Sequence, residues 1–309
     1  MTNKEFTLEE LITKQQEAKI SRLVKNAENI AKITQRVDAA QGAEKVRLSA
    51  LLELHKGHTN ELESIDVVAI ATEKMFKRPI PTPNVLDENI NQTYQLGRQY
   101  VPDERDNKYP INNLLSVAPV RITNKYWDAN GWWGNQGNTP QCVGYAWAHW
   151  LEDGPVPQSG IGPIIPPKVI YENAQRVDEW AGENYDGTSV RGGVKYLQSV
   201  GKVSSYYWGF NLTTLINSVL NLGPVVVGTN WYNGMFYPNR NGLIKISGRI
   251  AGGHAYVING VNTVTKLFRI KNSWGQSWGQ SGHAYISFTD MQRLIRERGE
   301  ICFAVEIPS

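Results

Sequence analysis

The chain has 309 residues, 41% of them apolar, and a formal net charge of +3, enough for one large or two small domains around a real core. The charge is too mild, and the basic residues too dispersed, to argue for nucleic acid, and no apolar run is long enough for a membrane span. Two cysteines leave no disulfide framework, and the charged start Met1-Thr2-Asn3-Lys4-Glu5 does not read as a secretion signal, which together predict a reducing cytoplasm or a particle assembled in one.

Residues 1–80 hold 25 of the chain's 61 charged side chains but no Trp, no Tyr and two of its 28 Gly, so they are built differently from the rest. Thr7-Leu8-Glu9-Glu10 reads as a capping box. Ile20, Leu23, Val24, Ala27, Ile30, Ala31 and Val37 recur at helical spacing and predict one apolar face. Gly42 breaks this helix. A second follows through Val46, Leu48, Leu51, Leu52 and Leu54 to Gly57, and a third from Glu61 to Phe76. Such a face must be buried in a helical hairpin, against the remaining domain, or on a partner. The preferred reading makes residues 1–80 a docking region for a protein partner or a second copy of the chain; the other makes them a removable pro-segment.

Pro79, Pro81 and Pro83 end regular structure and open a linker over 81–108, polar and extended from Leu96 onward. Residues 109–309 then form the larger domain. Cys142 to Glu152 reads as a helix stopped by Asp153-Gly154-Pro155, which places Cys142 on the positive end of a helix dipole, where a thiolate is favoured. Ser189 to Val200 reads as a second helical stretch, with Gly192 and Gly193 letting a substrate backbone approach. Pro224-Val225-Val226-Val227 opens the sheet half. His254 starts the alternating strand AYVINGV after Gly252-Gly253, and a turn at Asn262-Thr263 with the strand KLFRIK brings Asn272 back beside it.

Four residue types then stand in one chain order. Cys142 is a nucleophile, and His254 a base that can take its proton and return it to a leaving amine. Asn272 carries an amide oxygen that can orient the imidazole. Gln136, six residues before the cysteine, offers an amide that, with the Cys142 N–H, can donate to an oxyanion. Cys302, in the apolar strand ICFAVEI, reads as a core residue, and His149 and His283 read as packing or surface residues. The His254 neighbourhood has no second His or Cys, so no metal is predicted, and no cofactor.

At these residues the chain resembles the papain-like cysteine peptidases. The family's Gln-x5-Cys, its His in a Gly-rich strand start, and its Asn-Ser-Trp-Gly followed by Trp-Gly and Gly are met by Gln136, Cys142, His254, Asn272-Ser273-Trp274-Gly275, Trp278-Gly279 and Gly282. The resemblance runs from about Tyr109 to the C-terminus. It implies an α+β two-lobe fold, a helical lobe and an antiparallel β lobe with the cleft between them, preceded by the N-terminal helical region. It also implies endopeptidase action on a polypeptide substrate, and Trp274 covering the contact between His254 and Asn272. Pro140-Gln141-Cys142-Val143 replaces the Cys-Gly-Ser-Cys-Trp core of animal and plant members, so the variant resembles the disulfide-free bacterial and bacteriophage branch.

Family members commonly carry an N-terminal inhibitory segment whose strand runs backwards through the cleft. The signature of its long helix is met here only by Arg22, Asn29 and Ile33. Two rival readings stand beside the peptidase: a virion or assembly protein that keeps the fold without turnover, and another thiol acyl-transfer enzyme, against which the Asn-Ser-Trp-Gly setting argues.

Overall fold

The computed structural model describes residues 8–41, positions 45, 48, 49, 52, 53, 56, 59 and 63, and residues 94–115, 123–128, 132–155, 162–180 and 182–307. The capping box at Thr7, the helix break at Gly42, most of the third N-terminal helix and the prolines of the linker lie outside them.

Helix α1 spans Leu8–Ala39. Its covered side differs from the apolar face predicted above. Ile20 and Val24 are exposed, while Ile33 and the polar Asn26 are buried and Leu23, Ile30 and Val37 are half-covered. The covered positions 19, 23, 26, 30, 33 and 37 follow a seven-residue repeat, the narrow seam of helices packed side by side, rather than a broad 3.6-residue stripe. Lys19 Nζ donates to the Glu63 carbonyl at 2.7 Å and Asn26 Nδ2 to Thr59 Oγ1 at 3.0 Å. The described positions between 45 and 63 are all helical, so α1 meets an antiparallel helical partner within its own region, the first of the three ways to bury such a face.

The large domain is a sheet between two helical packings. Strands β4 (Val203–Gly209), β5 (Val225–Tyr232), β6 (Ile250–Asn262), β7 (Leu267–Lys271), β8 (His283–Ser287) and β9 (Glu300–Glu306) form the antiparallel order β4-β9-β5-β6-β7-β8, and β2 (Asn124–Tyr126) pairs with β6. β6 begins four residues before His254, not at it. The turn and return strand fall as predicted, with Val257 opposite Lys271.

Side chains on a strand alternate between faces, and here both faces are covered. Val226, Ala255, Val257, Cys302 and Ala304 pack with Trp147, Trp150, Leu151, Ile170 and Val194. These last residues come from α2 (Cys142–Asp153), α3 (Pro167–Val177) and α4 (Val190–Ser199). Val225, Val227, Tyr256, Ile258, Ile301 and Phe303 point to the other side, among Leu215 and Val219 of α5 (Leu212–Asn221) and Met291 and Leu294 of α6 (Phe288–Arg296). Cys302 is therefore an inward core residue, buried beneath the helical layer.

Gly192 and Gly193 lie inside α4 and face other helices. A Cβ on Gly193 would stand 2.2 Å from the Trp147 ring, and one on Gly192 would stand 2.9 Å from the Ala174 carbonyl. They let helices approach each other, not a substrate, which corrects the expectation above.

The lead-in is also only partly extended. After β1 (Arg98–Gln99), which pairs in parallel with β3 (Thr188–Ser189), residues Glu104–Lys108 form a 3-10 turn capped by the Asp103 side chain.

Candidate active site

Cys142 is the first residue of α2, and its side chain is fully buried. Burial pushes the thiol up to about 11. The backbone N–H groups of Ala255, Gly97 and Val143, together with the charge of Arg98, pull it partly back. Val143 contributes as the exposed first turn of a helix does. Ala255 contributes because β6 runs past the helix start, with His254 as its neighbour in the chain.

His254 Nε2 lies 2.8 Å from Asn272 Oδ1, which also accepts the Ser273 N–H at 2.8 Å. The other imidazole nitrogen, Nδ1, is buried with no hydrogen-bond partner among the described residues. Burial lowers His254 to about 4, and the bond to Asn272 works against that shift. Both groups are thus neutral in this geometry, because a closed, dry site disfavours either charge.

Aromatic rings enclose the pair. Trp274 is fully buried and lies against the imidazole at 4.8 Å with planes 26° apart, and Trp231 meets the same ring edge-on at 4.8 Å. They keep water from the hydrogen bond to Asn272, which strengthens it.

Gln136 is placed by its own backbone, whose N–H donates to the Ser273 carbonyl at 2.8 Å, and by the Ser273 hydroxyl, which donates to its Oε1. The loop carrying Cys142's neighbours and the strand end carrying Asn272 are thereby tied together. Its Nε2 donates to two carbonyl oxygens, those of Gln95 at 2.8 Å and Thr139 at 2.6 Å.

The Gln95 carbonyl belongs to a segment that sequence reasoning did not place here. Tyr94 stacks on Trp274 at 4.5 Å and 9°. Gly97 directs its N–H at the thiol, while its carbonyl accepts from Thr188 N at 2.9 Å. A Cβ on Gly97 would stand 2.0 Å from the Pro140 carbonyl oxygen; one on Gly187 would stand 2.2 Å from the Gly97 carbonyl, and one on Gly253 2.2 Å from the Arg98 carbonyl. Glycine at these three positions is what lets one strand pass through the cleft in backbone contact with both walls. Residues 94–98 therefore fill the space beside Cys142, His254 and Gln136.

Residues 169–299 match the family model described as papain family cysteine protease. Over that span, less than half of the chain, the sequence is similar to the papain-family cysteine peptidases. The matched span contains His254 and Asn272 and begins after Gln136 and Cys142, so the placing of those two rests on the geometry above. Xylellain, a cysteine protease from Xylella fastidiosa, is similar in structure with a TM-score of 0.54 at 18% identity, over 71% of this chain and 99% of that one. Procathepsin L 3 of the Tenebrio molitor larval midgut follows at 0.47 and 13%, over 91% and 99% of the two chains. A Carica candamarcensis cysteine protease in complex with E-64 gives 0.45 and 15%, over 60% and 100%. At these identities the xylellain likeness speaks for the fold alone. A search of curated protein sequences returns no match.

Two further described histidines make packing and backbone contacts. His149 is buried and accepts the Gly134 N–H at 2.9 Å, and His283 packs edge-on against Trp133 at 4.0 Å. Among the described residues there is no group of three His, Cys, Asp or Glu that could hold a metal ion, and no helix is long and apolar enough to cross a membrane.

Proposed function

We propose that this chain hydrolyses internal peptide bonds through a thioester on Cys142, in the manner of the disulfide-free bacterial and bacteriophage papain-like enzymes. His254 takes the thiol proton on Nδ1 and returns it to the leaving amine, and Asn272 holds the ring through Nε2. Gln136 Nε2 and the Cys142 N–H receive the oxyanion. The observation that carries this reading is the imidazole itself: one nitrogen is bonded to Asn272 at 2.8 Å and the other is buried and unbonded, which is what a base awaiting a proton requires. That Gln136 already donates to a carbonyl oxygen, Gln95's, supports its part. Two free cysteines, both buried, support the disulfide-free branch and a reducing compartment, in a bacterial cytoplasm or a virion.

The form described is latent, with residues 94–98 in place of substrate. A segment lying in the cleft ahead of the peptidase domain favours autoinhibition by the lead-in. Residues 1–80, with their own helical pairing and the exposed Ile20 and Val24, fit docking to a protein partner. Incubation of the full chain with a denatured protein under reducing conditions, with products read by mass spectrometry, tests the activity. New peptide termini with the native protein and none with His254→Ala are expected; equal cleavage by both refutes the assignment.

A further inference from the structure

The strand in the cleft shows what one of the neighbouring pockets accepts. Arg98 directs its side chain away from the cleft into the molecule, where it is buried to all but 2% of its surface. Its Nε and Nη2 meet Glu300 Oε2 at 2.8 and 2.6 Å, and Nη2 also donates to the Arg298 carbonyl at 2.7 Å. Gly228 stands opposite Glu300 in the sheet and leaves the room: a Cβ there would lie 2.8 Å from Arg98 Nε and 2.9 Å from Val190. The Tyr100 ring covers the guanidinium at 4.7 Å.

Departure of the strand would vacate the space that Arg98 fills, leaving a cavity with a carboxylate and a carbonyl at its end. The charge of Arg191 also acts on that carboxylate, more weakly than that of Arg98, but a carboxylate buried there remains costly unless a hydrogen-bonding cation returns to it. Two acceptors arranged for one planar fork favour guanidinium over ammonium.

We infer that this cavity selects an arginine side chain of the substrate, with Glu300 as the specificity-determining residue. The inference rests on the peptidase reading and adds the substrate class to it. The position follows from the chemistry. His254 and Trp274 lie toward the Tyr94 end of the strand, and His254 must protonate the leaving amine, so the leaving half of a substrate lies on that side. The acyl half lies toward Arg98. Gly97 stands at the thiol, so the next residue along, the second before the scissile bond, faces the pocket.

The test uses the full chain and two coumarin peptides, one with Arg and one with Leu as the second residue before the cleaved bond and Arg as the first in both. Occupation of the cleft by residues 94–98 lowers kcat/KM for both peptides by the same factor, so their ratio reports the pocket. The native chain favours Arg by at least about 30-fold, the usual range for leaving a buried charge unpaired. Glu300→Gln cuts that ratio at least tenfold, and Arg98→Leu with Glu300→Leu, which replaces the pair by matched apolar groups and so keeps the fold, reverses it toward Leu. Turnover with a ratio near one, or a ratio that neither variant moves, overturns the inference and leaves the peptidase intact. No turnover of either peptide by any of the proteins, together with no epoxide labelling of Cys142, overturns both.

Discussion

Gly97→Ala should raise the low activity of the latent chain. The added methyl would stand 2.0 Å from the Pro140 carbonyl oxygen, 2.5 Å from its carbon and 2.8 Å from its Cα, all of them backbone atoms just before the helix that bears Cys142. None can swing aside as a side-chain tip would. The opposite wall cannot yield either, since Gly187 and Gly253 already touch the strand's carbonyls. Overpacking of this kind costs about 1 to 3 kcal/mol, with backbone collisions at the upper end. It falls on the closed state alone, because the strand is free of both walls once it has left. If residues 94–98 limit access, the open fraction and the rate rise about 5- to 150-fold. Hydrolysis of a coumarin peptide by native and variant full chains measures this, with thermal unfolding as a check on the fold. A folded Gly97→Ala protein with native activity would show that the strand does not block the site.

Gln136→Ala should slow the maximal rate about 10²- to 10³-fold, the usual effect of losing one oxyanion donor, while the thiol still reacts with a small alkylating agent; an unchanged rate would remove Gln136 from the hole. In the native chain, burial holds the Cys142 thiol up at about 11. Since only the thiolate reacts, alkylation by iodoacetamide should keep accelerating up to about that pH, past the range of an ordinary thiol, and a plateau below about pH 8 would contradict the closed geometry. Lys271 pairs with Asp153 at 2.5 Å with both side chains 1% exposed. Lys271→Met should therefore cost about 3 to 5 kcal/mol in urea unfolding by stranding a buried carboxylate. Addition of Asp153→Asn should recover part of it, and a single-variant loss under about 1 kcal/mol would refute the pairing.

The helix start at Cys142 and the meeting of His254 with Asn272 were legible in the sequence because each is tied to a local signal. A Gly-free run after Gly144 starts the helix at Cys142, and a hairpin's length returns Asn272 to His254, 18 residues earlier. The cleft strand was not legible. Residues 94–98 are held by backbone contacts between glycines far apart in sequence, Gly97 with Gly187 and Arg98 with Gly253, and nothing in the polar lead-in marks such a meeting. Gly192 and Gly193 were misread for a related reason: a glycine records that something comes close, not whether it is a helix or a ligand. On α1, apolarity drew attention to Ile20 and Val24, while the seam is set by Asn26 and Ile33 against the helical residues that follow. Arg98 and Glu300, 202 positions apart, carry no signal until the sheet and the cleft strand bring them together.

Cys142 as the nucleophile of a papain-family peptidase is tested most directly by a papain-family epoxide inhibitor. The native chain, the Gly97→Ala chain and the Cys142→Ala chain are incubated with it under reducing conditions, and the modified residue is located by peptide mass mapping. One adduct per chain, on Cys142, forming faster in Gly97→Ala and absent from Cys142→Ala, is the predicted result. An adduct on Cys302, or none on Cys142 even after the cleft strand has been expelled, would contradict the account.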